Sequence, residues 1–210
     1  MKIGVIQASS QAEKNELIFH TVSKYAPSGA EVINFGCTID EPNEYSYIDI
    51  SILVGLLLAG NAVDFVVTGC GTGQGALMAC NMMPGVVCGY CIEPSDAYLF
   101  LQINNGNALA LPYAKGFGWG ADVNLKNIFT IAFGSPKGMG YPNEPGRKES
   151  QNRNAAKLVE VKAAIAKPLI EGLKAMDQDV VKKSLTPRFL QCFNEGCKDP
   201  ELKAFVDSLL

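Results

Sequence analysis

The chain carries a single histidine, His20, a single tryptophan, Trp119, and three arginines, Arg147, Arg153 and Arg188. With so little histidine, no cluster of His and carboxylates has metal-ligand spacing, so neither a metal nor any other cofactor is expected. Lysine and arginine never gather into a run, and the net charge is −3. That balance argues against nucleic acid as a partner, because phosphate binding needs concentrated cations. No apolar run is long enough to span a bilayer, the longest lying near residues 52–58. The first residues enter a strand-like run with no signal-peptide pattern, and neither repeats nor low-complexity stretches occur. Seven cysteines, an odd number, are scattered through apolar segments. They fit a reducing cytoplasm better than a disulfide framework.

What remains is an ordinary globular composition. At 210 residues, 48% hydrophobic and 19% charged, the chain can bury one substantial core. Strand-like segments are predicted at 2–7, 31–35, 64–68, 86–90 and 108–111. Helices are predicted at 13–25, 49–60, 95–103 and 122–133. Such alternation implies a mainly parallel sheet in a Rossmann-like α/β/α sandwich, with ligands beyond the C-terminal strand ends. Residues 134–146 hold three prolines and four glycines and read as a boundary. Beyond them helices are predicted at 149–166, 168–184, 186–193 and 200–209. The expected division is therefore a core over 1–146 and a helical extension over 147–210.

The densest signal is Val66-Val67-Thr68-Gly69-Cys70-Gly71-Thr72-Gly73-Gln74-Gly75. An apolar strand stops at alternating glycines, and a small-residue helix begins behind them. Loop amides and the helix dipole then point at one place, which makes an anion site. A thiol in that field is expected to have a lowered pKa, as a nucleophile or base requires. The competing reading is a tight turn with Cys70 simply buried. Cys88 and Cys91 form a CxxC on a strand, and buried small hydrophobes suit them better than a metal. The loop at Phe117-Gly118-Trp119-Gly120 could cover a ligand or simply pack.

Gly69-Cys70-Gly71-Thr72-Gly73-x-Gly75 is followed by Asn81-x-x-Pro84-Gly85-Val86, Glu93-Pro94-x-x-Ala97 and Asn104-x-x-Asn107-x-Leu109. In that order these motifs resemble the RpiB/LacAB family of sugar-phosphate isomerases, across roughly residues 1–135. The resemblance implies aldose–ketose isomerisation of the ribose 5-phosphate/ribulose 5-phosphate type through a cis-enediolate. It makes Cys70 the base and the amides of Gly71, Gly73 and Gly75 the oxyanion cradle, with the Thr72 hydroxyl assisting. Asn81 and Asn104 would bind sugar hydroxyls, or else serve as caps. Phosphate would fall to Arg153 and Arg147, with a third family arginine replaced near Lys115.

Two departures stand out. The family's Asp-His pair after the first strand is replaced by the stretch Gln7-Ala8-Ser9-Ser10, and its ring-opening histidine by Ile103. His20, on the first helix, is expected to be structural or solvent-facing, leaving Glu93, Tyr45 or water for ring opening. The alternative to an enzyme is a non-catalytic sugar- or sugar-phosphate-binding protein, or one subunit of a LacAB-type heteromer. The resemblance implies a homodimer with active sites at the subunit interface, and a homodimer or a dimer of dimers with shared sites is expected. Within one subunit Cys70 is expected at an open sheet edge with few cations nearby. The stripe Leu158, Val161, Ile165 and Leu169 would then bury against the partner.

Overall fold

The structure, a computed structural model, describes residues 1–40 and 44–210. Strands β1 (Lys2–Gln7), β2 (Glu31–Asn34), β3 (Phe65–Cys70), β4 (Cys88–Tyr90) and β5 (Ala108–Pro112) form one sheet in the order β2-β1-β3-β5-β4. Every pairing is parallel. Parallel strands need both faces covered, and the apolar run of β3 has every residue buried. One face is covered by α1 (Asn15–Tyr25) and α5 (Ala121–Phe133), through Ile18, Val22, Leu125 and Phe129. The short α4 (Pro94–Leu99) adds Ala97 to that layer. The opposite face is covered by α2 (Tyr47–Ala59) and α3 (Gln74–Met82).

Helix α2 is apolar all round, and Ile50, Ile52, Leu53, Val54, Leu56 and Leu57 are all fully buried. A helix without a wet face has to be covered on both sides. The outer cover comes from the end of the chain: α7 (Leu169–Ala175), α8 (Gln178–Ser184), α9 (Pro187–Gly196) and α10 (Pro200–Asp207). Their Leu173, Val181, Phe189, Phe193, Leu202 and Val206 join the same core layer as α2. The helical extension and the sheet thus share one continuous hydrophobic core. Helix α6 (Arg147–Ile165) differs, since none of its nineteen residues is buried.

The predicted elements hold with local differences. The helix expected from residue 13 is preceded by a 3-10 turn, Ser9–Lys14, which places Gln11 in the interior. The single helix expected over 168–184 is two, because Asp177 accepts a hydrogen bond from the Asp179 amide and starts α8 afresh. Strand β3 runs on through Cys70, with Gly69 beside Gln7 and Leu111, and Cys70 beside Pro112. Cys70 therefore ends the central strand, which corrects its expected place at an open edge. Gly69 is required there, since a Cβ would lie 2.2 Å from the Leu111 carbonyl oxygen.

The shared core predicts how the extension responds to a cavity. Phe193→Ala should cost about 3–5 kcal/mol, as large aromatic deletions in packed cores do. Urea unfolding followed by circular dichroism should show one cooperative transition at a lower midpoint. A separate early transition for the extension would contradict the common core.

Candidate active site

The C-terminal end of β3 meets three neighbours at Cys70. The Ala8 amide, just after β1, donates to the Gly69 carbonyl at 3.2 Å. The amides of Ala114 and Lys115, just after β5, each donate to the Gly71 carbonyl at 2.9 Å. From β4, the Tyr90 hydroxyl donates to the Thr72 carbonyl at 2.8 Å. The turn bearing Cys70 is thus tied to all three sides and held rigid, as a site of defined geometry must be.

Gly73 takes a left-handed φ of +75° as the N-cap of α3 and has no room for a side chain. A Cβ would sit 2.7 Å from the Tyr90 ring and 2.8 Å from the backbone of Leu111 and Pro112. No side chain caps α3 in the usual way, and the Thr72 hydroxyl accepts only a long 3.4 Å contact from the Gln74 amide. First-turn amides of α3 are therefore open toward the turn, where the dipole favours negative charge. Cys70 itself is 8% exposed, close to the surface yet sheltered. The turn can therefore hold a base beside a preorganised set of donors.

The wall facing this turn comes from the segment before α2. The Ser9 amide donates to the Tyr45 carbonyl at 3.0 Å, and the Tyr45 amide donates back to the Ser9 hydroxyl. The Tyr47 ring lies 3.1 Å from where a Gly75 side chain would begin. Where the family's Asp-His pair would stand, the chain places amides and hydroxyls instead. Gln7 donates to the Cys37 carbonyl at 2.6 Å, and Asn15 bridges Gln7 to Asn34 at 2.9 and 3.0 Å. Gln11 reaches the neighbourhood of Gly71 and accepts from the Lys14 ammonium at 2.8 Å.

Several groups at the turn and along β4 are held in their neutral forms. Burial pushes the Tyr113 phenol well up, and the neighbouring Cys91 and Cys70 add in the same direction. Desolvation, then Cys70 and Asp96, raises the Tyr90 phenol in the same direction. Both tyrosines are therefore donors at neutral pH. Burial also pushes the Cys91 thiol up to about 12. Cys88 is raised by its hydrogen bond with Cys80 and then by burial. Cys88 and Cys91 lie on opposite faces of the sheet, in different core layers, so the CxxC spacing brings no pair of thiols together.

Not every predicted site residue comes to Cys70. The Asn81 side chain bonds both the amide and the carbonyl of Cys88, at 3.0 and 2.8 Å, and also the Leu77 carbonyl. It sits near the C-terminus of α3, about 10 Å along the helix from the turn. The expected sugar contact at Asn81 is thereby corrected: its side chain is committed to β4. Asn104 closes an irregular helical turn, Phe100–Asn104, ahead of β5, at the N-terminal end of the sheet. Strand β5 alone separates that end from Cys70 by about 13 Å.

The arginines divide the same way. Loop 138–140 bonds Leu101 and Gln102, and Asn152 of α6 bonds the Gly138 carbonyl at 2.8 Å. Arg147 and Arg153, on the first turns of α6, therefore accompany Asn104 and not Cys70. Arg147 pairs with Glu144 at 2.7 Å, and Arg153 is exposed. Arg188 does lie at the Cys70 end, donating to the Asn34 and Gly36 carbonyls at 2.6 and 3.2 Å. His20 is exposed on α1 beside Glu16. Trp119 is fully exposed, so it does not pack within this chain. Tyr47, Tyr90 and Gln11 lie against the turn without any motif having marked their places, and Tyr45, a candidate for ring opening, has its hydroxyl on Thr186.

A family model described as Ribose/Galactose Isomerase matches residues 3–128. A second, described as Ribose-5-phosphate isomerase, matches residues 163–209. The curated ribose-5-phosphate isomerase B of Escherichia coli (strain K12) is 36% identical over 97 residues, which are 46% of this chain and 61% of that protein. The alignment with this relative therefore spans about three fifths of its length. Two solved structures match from end to end. A ribose-5-phosphate isomerase from Vibrio parahaemolyticus is 50% identical with a TM-score of 0.95, covering 100% of this chain and 99% of its own. A 4-deoxy-L-threo-5-hexosulose-uronate ketol-isomerase complexed with a tartrate is 42% identical, with the same TM-score and coverage. The match over residues 3–128 spans the sheet and the Cys70 turn, and by it the chain belongs to the ribose/galactose isomerase family.

Proposed function

We propose that the protein is an aldose–ketose isomerase that moves a proton between C1 and C2 of a small anionic sugar. The observation that carries this is a sheltered thiol at the end of the central strand, facing the uncapped amides of α3. In this reading the Cys70 thiolate removes the carbon-bound proton. The C–H electron pair becomes the C1=C2 bond of a cis-enediolate, and the carbonyl oxygen becomes the oxyanion. Amides around Gly71, Gly73 and Gly75 hold that oxyanion, with the Thr72 hydroxyl at the same turn. Return of the proton to the neighbouring carbon, with transfer between the two oxygens, completes the isomerisation. A module that only bound sugar would have no use for a thiol so placed.

A sugar phosphate of the ribose 5-phosphate type is the substrate that the family and its named relatives support. A second reading has an observation of its own. The site has no histidine within reach, because His20 is exposed on α1 and Ile103 stands before Asn104. A 4-deoxy-5-keto uronate has no hydroxyl at C4 or C5 to close a hemiacetal ring, so it needs no ring-opening group. An end-to-end neighbour is named for that substrate. The two readings share the enediolate chemistry and differ in the anion, phosphate or carboxylate.

The working unit we propose is a homodimer, or a dimer of dimers, in which Asn104, Arg147 and Arg153 of one chain complete the Cys70 site of the other. Within one chain these groups occupy opposite ends of the sheet. Leu158, Val161 and Ile165 are 51%, 49% and 82% exposed on α6, an apolar stripe suited to a partner. The cytoplasm is the compartment that seven free cysteines suit.

Ketose formation from ribose 5-phosphate and from 4-deoxy-5-hexosulose uronate, measured side by side, should identify the substrate. Cys70→Ala should lower turnover by at least about a thousandfold while leaving the fold intact, since it removes only the proton acceptor. Near-normal turnover in that variant would sink the mechanism. Activity should also survive exhaustive chelation, because amides hold the oxyanion, and dependence on an added divalent ion would contradict this. Mixing Cys70→Ala with Arg153→Ala chains should restore about a quarter of wild-type activity. Half the random dimers are then mixed, each with one intact site of two. A fully active monomer would rule out the shared site.

A further inference from the structure

The helical extension touches the wall of the Cys70 site through three side chains within five residues. The Tyr45 and Thr186 hydroxyls share a buried hydrogen bond of 2.6 Å across 141 positions of sequence. The Ser184 hydroxyl lies 2.9 Å from the buried Asp49 carboxylate and 2.9 Å from the Val180 carbonyl. The other Asp49 oxygen accepts from the Ser46 amide and hydroxyl, at 2.8 and 2.7 Å, in the capping box that starts α2. Arg188 adds its two bonds to the Asn34 and Gly36 carbonyls. All three grips fall on the stretch between the end of β2 and the first turn of α2. That stretch carries Tyr47, whose ring lies against Gly75 of the Cys70 turn, and Tyr45, whose main chain bonds Ser9.

From this we infer that residues 184–188 act as a positioning strap, with Thr186 setting the wall of the catalytic pocket through Tyr45. Tyr45 is 4% exposed and its hydroxyl is engaged by Thr186, so the residue serves as a placed surface rather than a free acid. Its main chain is locked to Ser9, whose neighbour Ala8 bonds Gly69, one residue before Cys70. Thr186 is consequently linked to the Cys70 turn by three hydrogen-bonded steps, to Tyr45, from Tyr45 to Ser9 and from Ala8 to Gly69, joined through the chain itself. Displacing such a wall by a fraction of an ångström changes how substrate meets the base, and rate is sensitive to that distance.

The kinetic part of this inference rests on the isomerase reading, and the chemical part does not. Thr186→Val and Tyr45→Phe each delete the shared bond, from opposite sides. Tyr45→Phe leaves the Thr186 hydroxyl free to cap α9 at the Phe189 amide. Each variant should lower kcat about tenfold with KM changed less than kcat, and the double variant should be no worse than either. Thr186→Ser, which keeps the hydroxyl, should stay within about twofold of wild type. Independently of turnover, alkylation of Cys70 by iodoacetamide, followed by mass spectrometry, should run about fivefold faster in both deletion variants. Folded Thr186→Val protein with wild-type kcat and wild-type Cys70 alkylation would overturn the strap. So would a loss confined to Tyr45→Phe, which would assign Tyr45 to the substrate directly. Faster alkylation in a protein whose wild type turns over no sugar would keep the strap and discard the isomerase reading.

Discussion

Helix α2 has no face that tolerates water, and the rest of the molecule follows from that constraint. The sheet buries one side of it, as any parallel sheet requires. The other side must be closed by something, and the chain closes it with α7 to α10. Leu173, Val181, Phe189 and Phe193 therefore belong to the same core as β3, and the extension is integral to the fold. The start of α2 adjoins the Cys70 turn, where the Tyr47 ring lies against Gly75. Covering the helix thus also fixes the position of the pocket wall.

Direction is the second organising fact. Each crossover helix of a right-handed parallel fold begins at the ligand end of the sheet and returns to the opposite end. Residues early in α3 meet the Cys70 turn, whereas Asn81, late in α3, lies against the start of β4. Asn104 precedes β5 and shares that far end with the beginning of α6. At the Cys70 end, Lys115 is tied by its backbone to Gly71, and the Arg188 guanidinium is engaged by the Asn34 and Gly36 carbonyls. Bidentate recognition by Arg147 or Arg153 requires a second chain.

Much of this was legible in the sequence, for local reasons. A buried β-branched run, alternating glycines and a small-residue helix are each encoded within a few residues, so β3, its turn and α3 could be read directly. Cys70 was legible because that turn leaves a side chain at a helix N-terminus. The bonds from Tyr45 to Thr186 and from Asp49 to Ser184 were not legible, since they join residues about 140 positions apart. No periodicity records such a pairing. A signal did exist in the apolar run of residues 52–58, which demands cover from elsewhere in the chain. The misplacement of Asn81 was avoidable too, because crossover direction alone puts the last turn of α3 away from the ligand end. The extra break before α8 turns on a single capping aspartate, Asp177, within a stretch whose apolar spacing continues past it.

The extension divides by burial into two parts with different physical work. Helix α6 buries nothing within its own chain and presents Leu158, Val161 and Ile165 outward. Helices α7 to α10 bury Leu173, Val181, Phe189, Phe193, Leu202 and Val206 inward. The match described as Ribose-5-phosphate isomerase, over residues 163–209, begins where this change occurs. Such a division lets one continuous segment act at two places. Its inward half braces the wall of the Cys70 pocket in the same chain. Its outward half carries Arg153 and an apolar stripe on a rigid helix, placed beside Asn104 at the far end of the sheet. In the proposed dimer, a substrate that engaged both ends would sense the extension twice, once through each chain.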